Sequence, residues 1–333
     1  MPESPPTLAF VHLGPASSKH LWKNLDRVSS IWPNLDLWVI FDHSKNVIKA
    51  RRLGFNVYEY KGPVLQGHSN SFKKEFRRGF WYFSRLRLDA LFEFHTSYPE
   101  KKLLHIESDI LLLENFPFNY FDTIENITWM HVLEGSDSAA VIYLPNVVKS
   151  LWLKDELKSE VKGNSEITDM QALWNIRKKF SSEIDLLPTL GRGLPVLQGV
   201  FDSAAIGMWL TGEDPQNSFG MSHRYINRFN IDQLNSPKSR FLFEKNQLVI
   251  SGEPALSVFN LHIHSKNLKL LSRGAEKHLQ KLVTMSMKRS QRINFAPRIL
   301  LSVILDYVRR GKLLSLIAAI PLISKIRKRM HPN

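Results

Sequence analysis

The chain has 333 residues, 43% of them hydrophobic and 23% charged, enough to bury a large core, so it reads as globular and not disordered. Its net charge of +14 is placed unevenly: residues 1–261 carry 29 Lys and Arg against 29 Asp and Glu, whereas residues 262–333 carry 16 against 2. The body is therefore not that of a basic nucleic-acid binder, and zero cysteines exclude a disulfide framework, thiol catalysis and a Cys-ligated metal.

The N-terminal stretch MPESPPTLAF has Glu3 and three prolines where a cleaved signal needs positive charge and an apolar run, so none is expected. An apolar strand follows over 7–13 (TLAFVHL), then a helix over 18–30, a strand over 37–41 (LWVIF) and another over 55–60 after the turn at Gly54. This alternation is the rhythm of a parallel sheet with crossover helices. A long helical pattern over 76–95 puts Phe80, Phe83, Leu86, Ala90 and Phe94 on one stripe and leads into a buried strand over 102–106 (KLLHI). Strands are expected over 127–133 and 139–144, and a helix from about Asn146. The stretch 168–180 is amphipathic, with Thr168 or Asp169 at its N-cap. Loops are expected over 187–199 and 212–220, a hairpin over 240–250 and a late strand over 257–264 (SVFNLHIH).

The sharpest local feature is His105-Ile106-Glu107-Ser108-Asp109-Ile110. An apolar strand delivers two carboxylates, Glu107 and Asp109, to its C-terminal end, where open α/β sheets bind ligands. Acids at i and i+2 can converge on one hard divalent cation whose shell substrate phosphates complete. Equally, such a pair can open a solvated loop. Alternation over Leu261-His262-Ile263-His264-Ser265-Lys266 puts His262 and His264 on one face. Either imidazole can serve as a third ligand or pack with its ring hydrogen-bonded, and Lys266 beside them can take charge from a phosphate. The P-loop, nucleophile-elbow and HExxH patterns are absent from the sequence.

These stretches together resemble the GT-A glycosyltransferases, which use nucleotide sugars and a DxD metal motif. HIESDILLL resembles that motif with Glu107 in place of the first Asp, and HIHSK resembles the late His that completes the metal site. Residues 10–42 resemble the opening β-α-β, FWYFSRLRLDALFEFH the Arg-bearing helix before the motif, and AAVIYLPN the strand after it. The resemblance spans about 7–268 and implies a GT-A, Rossmann-like α/β domain over 1–268, with a mixed, mainly parallel sheet flanked by helices. It implies Mn²⁺ or Mg²⁺ on Glu107, Asp109 and His264, with His262 as the substitute ligand. A nucleotide-diphosphate sugar is then the donor, contacted by Arg85, Lys266 and Ser108, and a glycan or lipid-linked molecule the acceptor. An inverting enzyme needs a carboxylate base, for which Asp169 and Asp202 are the candidates, while Asp169 also suits a helix cap. Other readings are a sugar-nucleotide pyrophosphorylase or nucleotidyltransferase, whose Gly-rich basic loop GPASSKH matches poorly, and a non-catalytic membrane- or nucleic-acid-binding protein.

The remaining segment, 269–333, reads as an amphipathic helical tail. PRILLSVILDYVRR has Pro297 at a first helical position, Gly311 after the last turn and a narrow polar stripe of Arg298, Ser302, Asp306 and Arg309. Charges interrupt every run long enough to span a bilayer, and SKIRKRM ends the chain with four cations. Such a segment fits the interface of an anionic membrane through 297–333, on the cytoplasmic inner face, and nucleic acid is not expected as a partner.

Overall fold

A computed structural model describes residues 5–14, 19–62, 80–190, 197–211, 241–244, 247–251, 255–264 and 267–290. The elements run β1 (Thr7–His12), α1 (Lys19–Ile31), β2 (Leu37–Phe41), α2 (Ser44–Arg52), β3 (Asn56–Glu59), α3 (Phe80–Ser97), β4 (Leu103–Ile106) and β5 (Ile110–Leu112). A 3₁₀ turn (Phe118–Thr123) precedes β6 (Ile127–Leu133), β7 (Ser136–Leu144), α4 (Val147–Gly163), α5 (Asp169–Lys179), β8 (Ile184–Leu187) and β9 (Gly199–Val200). Then come α6 (Ala205–Thr211), β10 (Phe241–Glu244), β11 (Gln247–Ile250), β12 (Leu256–Val258), β13 (Asn260–His262) and α7 (Ala275–Ser290).

The central sheet has seven strands in the order β3-β2-β1-β4-β7-β6-β8. All its pairings are parallel except those of β7 with β4 and β6, so the sheet is mixed and largely parallel, as expected. Helices cover both faces. On one, Leu21, Leu25 and Val28 of α1 and Val47 and Ala50 of α2 pack on Leu8, Phe10, Val39 and Leu104. On the other, α3, α4 and α5 bring Leu86, Ala90, Leu91, Phe94, Leu153, Leu173 and Ile176 onto Ala9, Leu103, Trp129 and Ile142. Sandwiching explains why these strands read as continuous apolar runs instead of alternating.

Local rules set several boundaries. Asn146 caps α4 by accepting from the Lys149 N–H at 3.0 Å. Thr168, not Asp169, caps α5, in a capping box with Gln171. Buried polar groups tie elements together. Asp137, which is fully buried, accepts from Trp129 Nε1 at 3.0 Å, His131 Nδ1 at 2.7 Å and Arg177 Nε at 2.5 Å, joining the β6-β7 hairpin to α5. His95 of α3 donates from Nε2 to the Lys101 carbonyl at 2.7 Å and meets Ser150 Oγ of α4 through Nδ1 at 2.6 Å.

A second layer consists of a four-stranded sheet, β10-β11-β12-β9, covered by α6 and α7, and it joins the body through the β13-β5 pair. The single late strand expected over 257–264 is two strands. At Phe259 the chain leaves one sheet for another: its N–H reaches the Val200 carbonyl at 3.0 Å and its carbonyl accepts from the Leu113 N–H at 2.9 Å. The hairpin expected over 240–250 is β10-β11. The helices α2 and α6 and the strands β5, β8 and β9 were not expected. Leu270, Leu271, Ala275, Leu279 and Val283 are buried with α6, β10 and β11, so the packed body runs past residue 268, the end of the domain that the resemblance implies. Among the described residues no helix is long and apolar enough to cross a membrane. The loops over 191–193 and 212–220 and the tail over 297–333 lie outside the described residues.

Candidate metal centre

The centre forms where β4 leaves the sheet. Ile106 is the last buried strand residue, and the Glu107 N–H still bonds the Ala140 carbonyl of β7 at 2.9 Å. The chain then turns, with the Ile110 N–H returning to the Glu107 carbonyl at 3.1 Å, and β5 pairs antiparallel with β13. That register sets His262 opposite Ile110, and the Ile263 N–H bonds the Asp109 carbonyl at 2.8 Å. A pairing between segments far apart in sequence thus lays an imidazole beside the turn that carries both acids.

Among the described residues no strand pairs with the other edge of β5. Helix α1 serves instead, through one stripe of polar side chains at helical spacing. His20 Nε2 meets Ser108 Oγ at 3.1 Å. Asn24, fully buried, donates from Nδ2 to the Ser108 carbonyl at 3.2 Å and the Ile110 carbonyl at 2.7 Å. Arg27, 1% exposed, donates to the Leu112 carbonyl at 2.7 Å and pairs with Glu276 of α7 at 2.5 Å. On this edge the backbone on both sides of Asp109 is held by side chains of α1.

His262 Nδ1 lies 3.2 Å from the Ser203 carbonyl. A carbonyl only accepts, so Nδ1 carries a proton, which makes Nε2 the nitrogen able to take a cation. That nitrogen is 3.4 Å from Glu107 Oε2 and 3.5 Å from Asp109 Oδ2. One ligand atom from each of the three side chains lies within 4.8 Å of the others. Two carboxylate oxygens and an imidazole nitrogen this close form a donor set that could hold a cation. A divalent cation about 2.1 Å from adjacent ligands would set those ligands roughly 3.0–3.4 Å apart, close to the observed separations. Two carboxylates and an imidazole suit Mn²⁺ or Mg²⁺ as a donor set, with the imidazole favouring the former.

The structure distributes the residues named from sequence unequally. Glu107, Asp109 and His262 come together. His264 stands behind His262, its ring stacked on it with centroids 3.9 Å apart, because the β13-β5 register, which sequence alone does not reveal, points His262 at the acids. Ser108 turns toward His20 of α1. Arg85 is buried and directs its guanidinium to the Ser165 and Ile167 carbonyls, each at 3.4 Å, so it braces the loop before α5; burial lowers its pKa. Arg87, two residues on, is the arginine at the centre. It pairs with Glu107 Oε1 and reaches Asp169 Oδ2 at 3.5 Å. Although burial opposes its charge, those two carboxylates raise its pKa. Asp169 thus joins the periphery of the centre, and burial, with the Glu107 charge nearby, raises its own pKa despite Arg87. Lys266 lies outside the described residues.

Asp202 has a different role. It is 1% exposed, and its carboxylate accepts from four backbone N–H groups: Ala204 at 3.1 Å, Ile206 at 2.9 Å, Gly207 at 2.7 Å and His262 at 3.0 Å. Those bonds fill its acceptor positions, so it fastens the first turn of α6 to β13 in place of the expected contact with an acceptor hydroxyl. Gly207 permits that closeness, since a Cβ there would lie 2.1 Å from the His262 carbonyl oxygen. Arg87, His20 and Asn24 were missed from sequence. Their signal was helical spacing toward a partner whose position the sequence does not show.

No protein-family model and no curated protein sequence matches the chain. Solved structures similar to it include the apo-form glycosyltransferase GlyE of Streptococcus pneumoniae TIGR4, at 13% identity and a TM-score of 0.36, covering 56% of this chain and 45% of that one. Another is the PaToxG glycosyltransferase, at 13% identity and a TM-score of 0.31, covering 54% of this chain and 72% of that one. The chain spans less than half the length of the first. Likenesses this distant carry no functional weight, which rests with the side chains at the end of β4.

Proposed function

We propose that this chain is a GT-A-type glycosyltransferase that moves a sugar from a nucleotide-diphosphate donor to a glycan or lipid-linked acceptor. The observation that supports this reading is the convergence of Glu107, Asp109 and His262 at the C-terminal end of a parallel strand. Those three side chains would hold Mn²⁺ or Mg²⁺, which when bound supplies a Lewis acid for the departing diphosphate. The chain's own groups do the rest. Arg87 neutralises one oxygen of Glu107 and leaves the other turned to His262. The Ser203 carbonyl fixes the His262 tautomer, and the α1 stripe fixes the turn. Ser108 and Lys266 are proposed as donor contacts, Asp169 as the acceptor-side carboxylate and His264 as support for His262. Segment 269–333, whose first part packs as α7, is proposed to hold the enzyme on the inner face of an anionic membrane through 297–333.

The test is a screen of nucleotide sugars for Mn²⁺-dependent hydrolysis or transfer by the full chain, beside Asp109→Asn. The variant is expected to lose about 100-fold or more of the rate. Equal rates from both proteins, or a rate unchanged by chelator, would overturn the assignment.

A further inference from the structure

The last described helix shows a division of faces that the centre does not require. In α7, Ala275, Leu279 and Val283 are buried against the second layer, and Lys277, His278, Gln280, Lys281 and Thr284 are exposed. The one acid of the helix, Glu276, is turned inward onto Arg27. Lys277 and Lys281 stand one turn apart on the outer face, which carries no carboxylate of its own. The turn before the helix adds exposed Lys269 and Leu268, the latter 37% exposed, and Arg273, which shares its charge with Asp26 at 2.7 Å. The sequence continues with Lys288, Arg289 and Arg292 into the apolar and cationic segment that begins at Pro297.

We propose that the exposed face of α7, centred on Lys277 and Lys281, is a docking surface for the anionic headgroups of a membrane and sets the orientation of the folded body on it. This deepens the proposed membrane role of 297–333 and rests on it. A tail alone would tether the body without fixing which side faces the lipid. A cationic stripe on a helix that is itself part of the core fixes that side, because Ala275, Leu279 and Val283 bury α7 against the folded body. Phospholipid is favoured over nucleic acid because the chain that continues from this face is rich in apolar residues suited to insertion between headgroups, and the rest of the body has no net positive charge. The clasp of Arg27 on Glu276, on the inner side of α7, joins this helix to α1, the helix that holds the turn around Asp109.

Partitioning of the full chain onto phosphatidylcholine vesicles, with and without about one-third phosphatidylglycerol, tests this, read by co-sedimentation at low and high salt. Lys277→Gln with Lys281→Gln is expected to weaken partition onto the anionic vesicles about 30-fold, at about 1 kcal/mol per cation, and to reduce its salt dependence. The control pair Lys158→Gln with Lys162→Gln, on exposed positions of α4, is expected to change it less than twofold, and circular dichroism verifies folding of both. If the full chain ignores anionic vesicles altogether, the membrane reading itself falls. Strong binding by the full chain that the α7 pair leaves unchanged overturns this inference alone and assigns lipid contact to 297–333. Loss of single-stranded RNA binding in the α7 pair, with vesicle binding intact, likewise overturns it in favour of a nucleic-acid surface.

Discussion

Asn24 carries no charge and takes no part in chemistry, yet it holds the carbonyls on either side of Asp109. Replacing it with Leu keeps much of the volume and leaves two buried carbonyls bare, so Asn24→Leu is expected to cost about 2–4 kcal/mol in urea unfolding. It should also weaken Mn²⁺ binding, because the turn loses its brace. His262 contributes differently, since its worth lies in a lone pair and not in stability. His262→Gln is expected to lower Mn²⁺ affinity at least tenfold by titration calorimetry, with a midpoint of unfolding within about 0.5 kcal/mol of the parent in chelator. A large loss of stability with unchanged affinity would make the imidazole structural. Sequence pointed to both acids and both histidines as candidates because their spacing is local. It could not rank His262 over His264, since that depends on which residue of β13 lies opposite Ile110.

At the scale of elements, the contact of α6 with β13 decides where His262 sits. Asp202 draws the two together with four backbone bonds, and Gly207 lets them close. Gly207→Ala must push α6 away from the His262 carbonyl, at an expected cost of about 1–3 kcal/mol, accompanied by weaker cation binding. Equal Mn²⁺ affinity in that variant would show that the strand does not need this contact to place its imidazole. Helix α3 gives the complementary lesson. Its apolar stripe was legible, and Leu86, Ala90 and Phe94 are buried as that stripe requires. Which of its arginines meets the centre was not, because Arg85 and Arg87 are only two positions apart and the helix's rotation is set by packing under α4 and α5.

For the whole molecule, buried ionisable groups tie stability to pH. Burial lowers the pKa of His95 from its usual 6.5, and burial with the nearby Arg87 charge takes His105 down to about 3. Both are neutral in the fold. Their contribution is complete above the unfolded value near 6.5 and is lost as pH falls from there toward the folded values. Asp137 adds a second stage. Burial opposes its ionisation, but the bonds from His131, Arg177 and Trp129 outweigh this and hold its pKa below 3.8, so its contribution stands above that value and is lost below it. Asp169 and Asp202, whose burial raises their pKa, work the other way, since their cost at neutral pH falls away as pH drops. The histidine share is therefore read by difference: in urea unfolding the parent should lose more stability than His95→Gln as pH falls from about 6.5 to about 5, and identical pH dependence of the two would contradict the assignment.

The sequence by itself determined the parallel strands with their crossover helices, the strand that ends in two acids, the capped start of α5 and the cationic C-terminal segment. Each depends on spacing within a few turns or strand lengths, where backbone geometry fixes which side chains share a face. Only the tertiary structure decided that His262 faces the acids, that Arg87 pairs with Glu107, that Asp202 is consumed by backbone amides and that α7 belongs to the packed body. Those outcomes depend on register and rotation between elements distant in the chain, and hydrophobic patterning says which face is buried without saying against what.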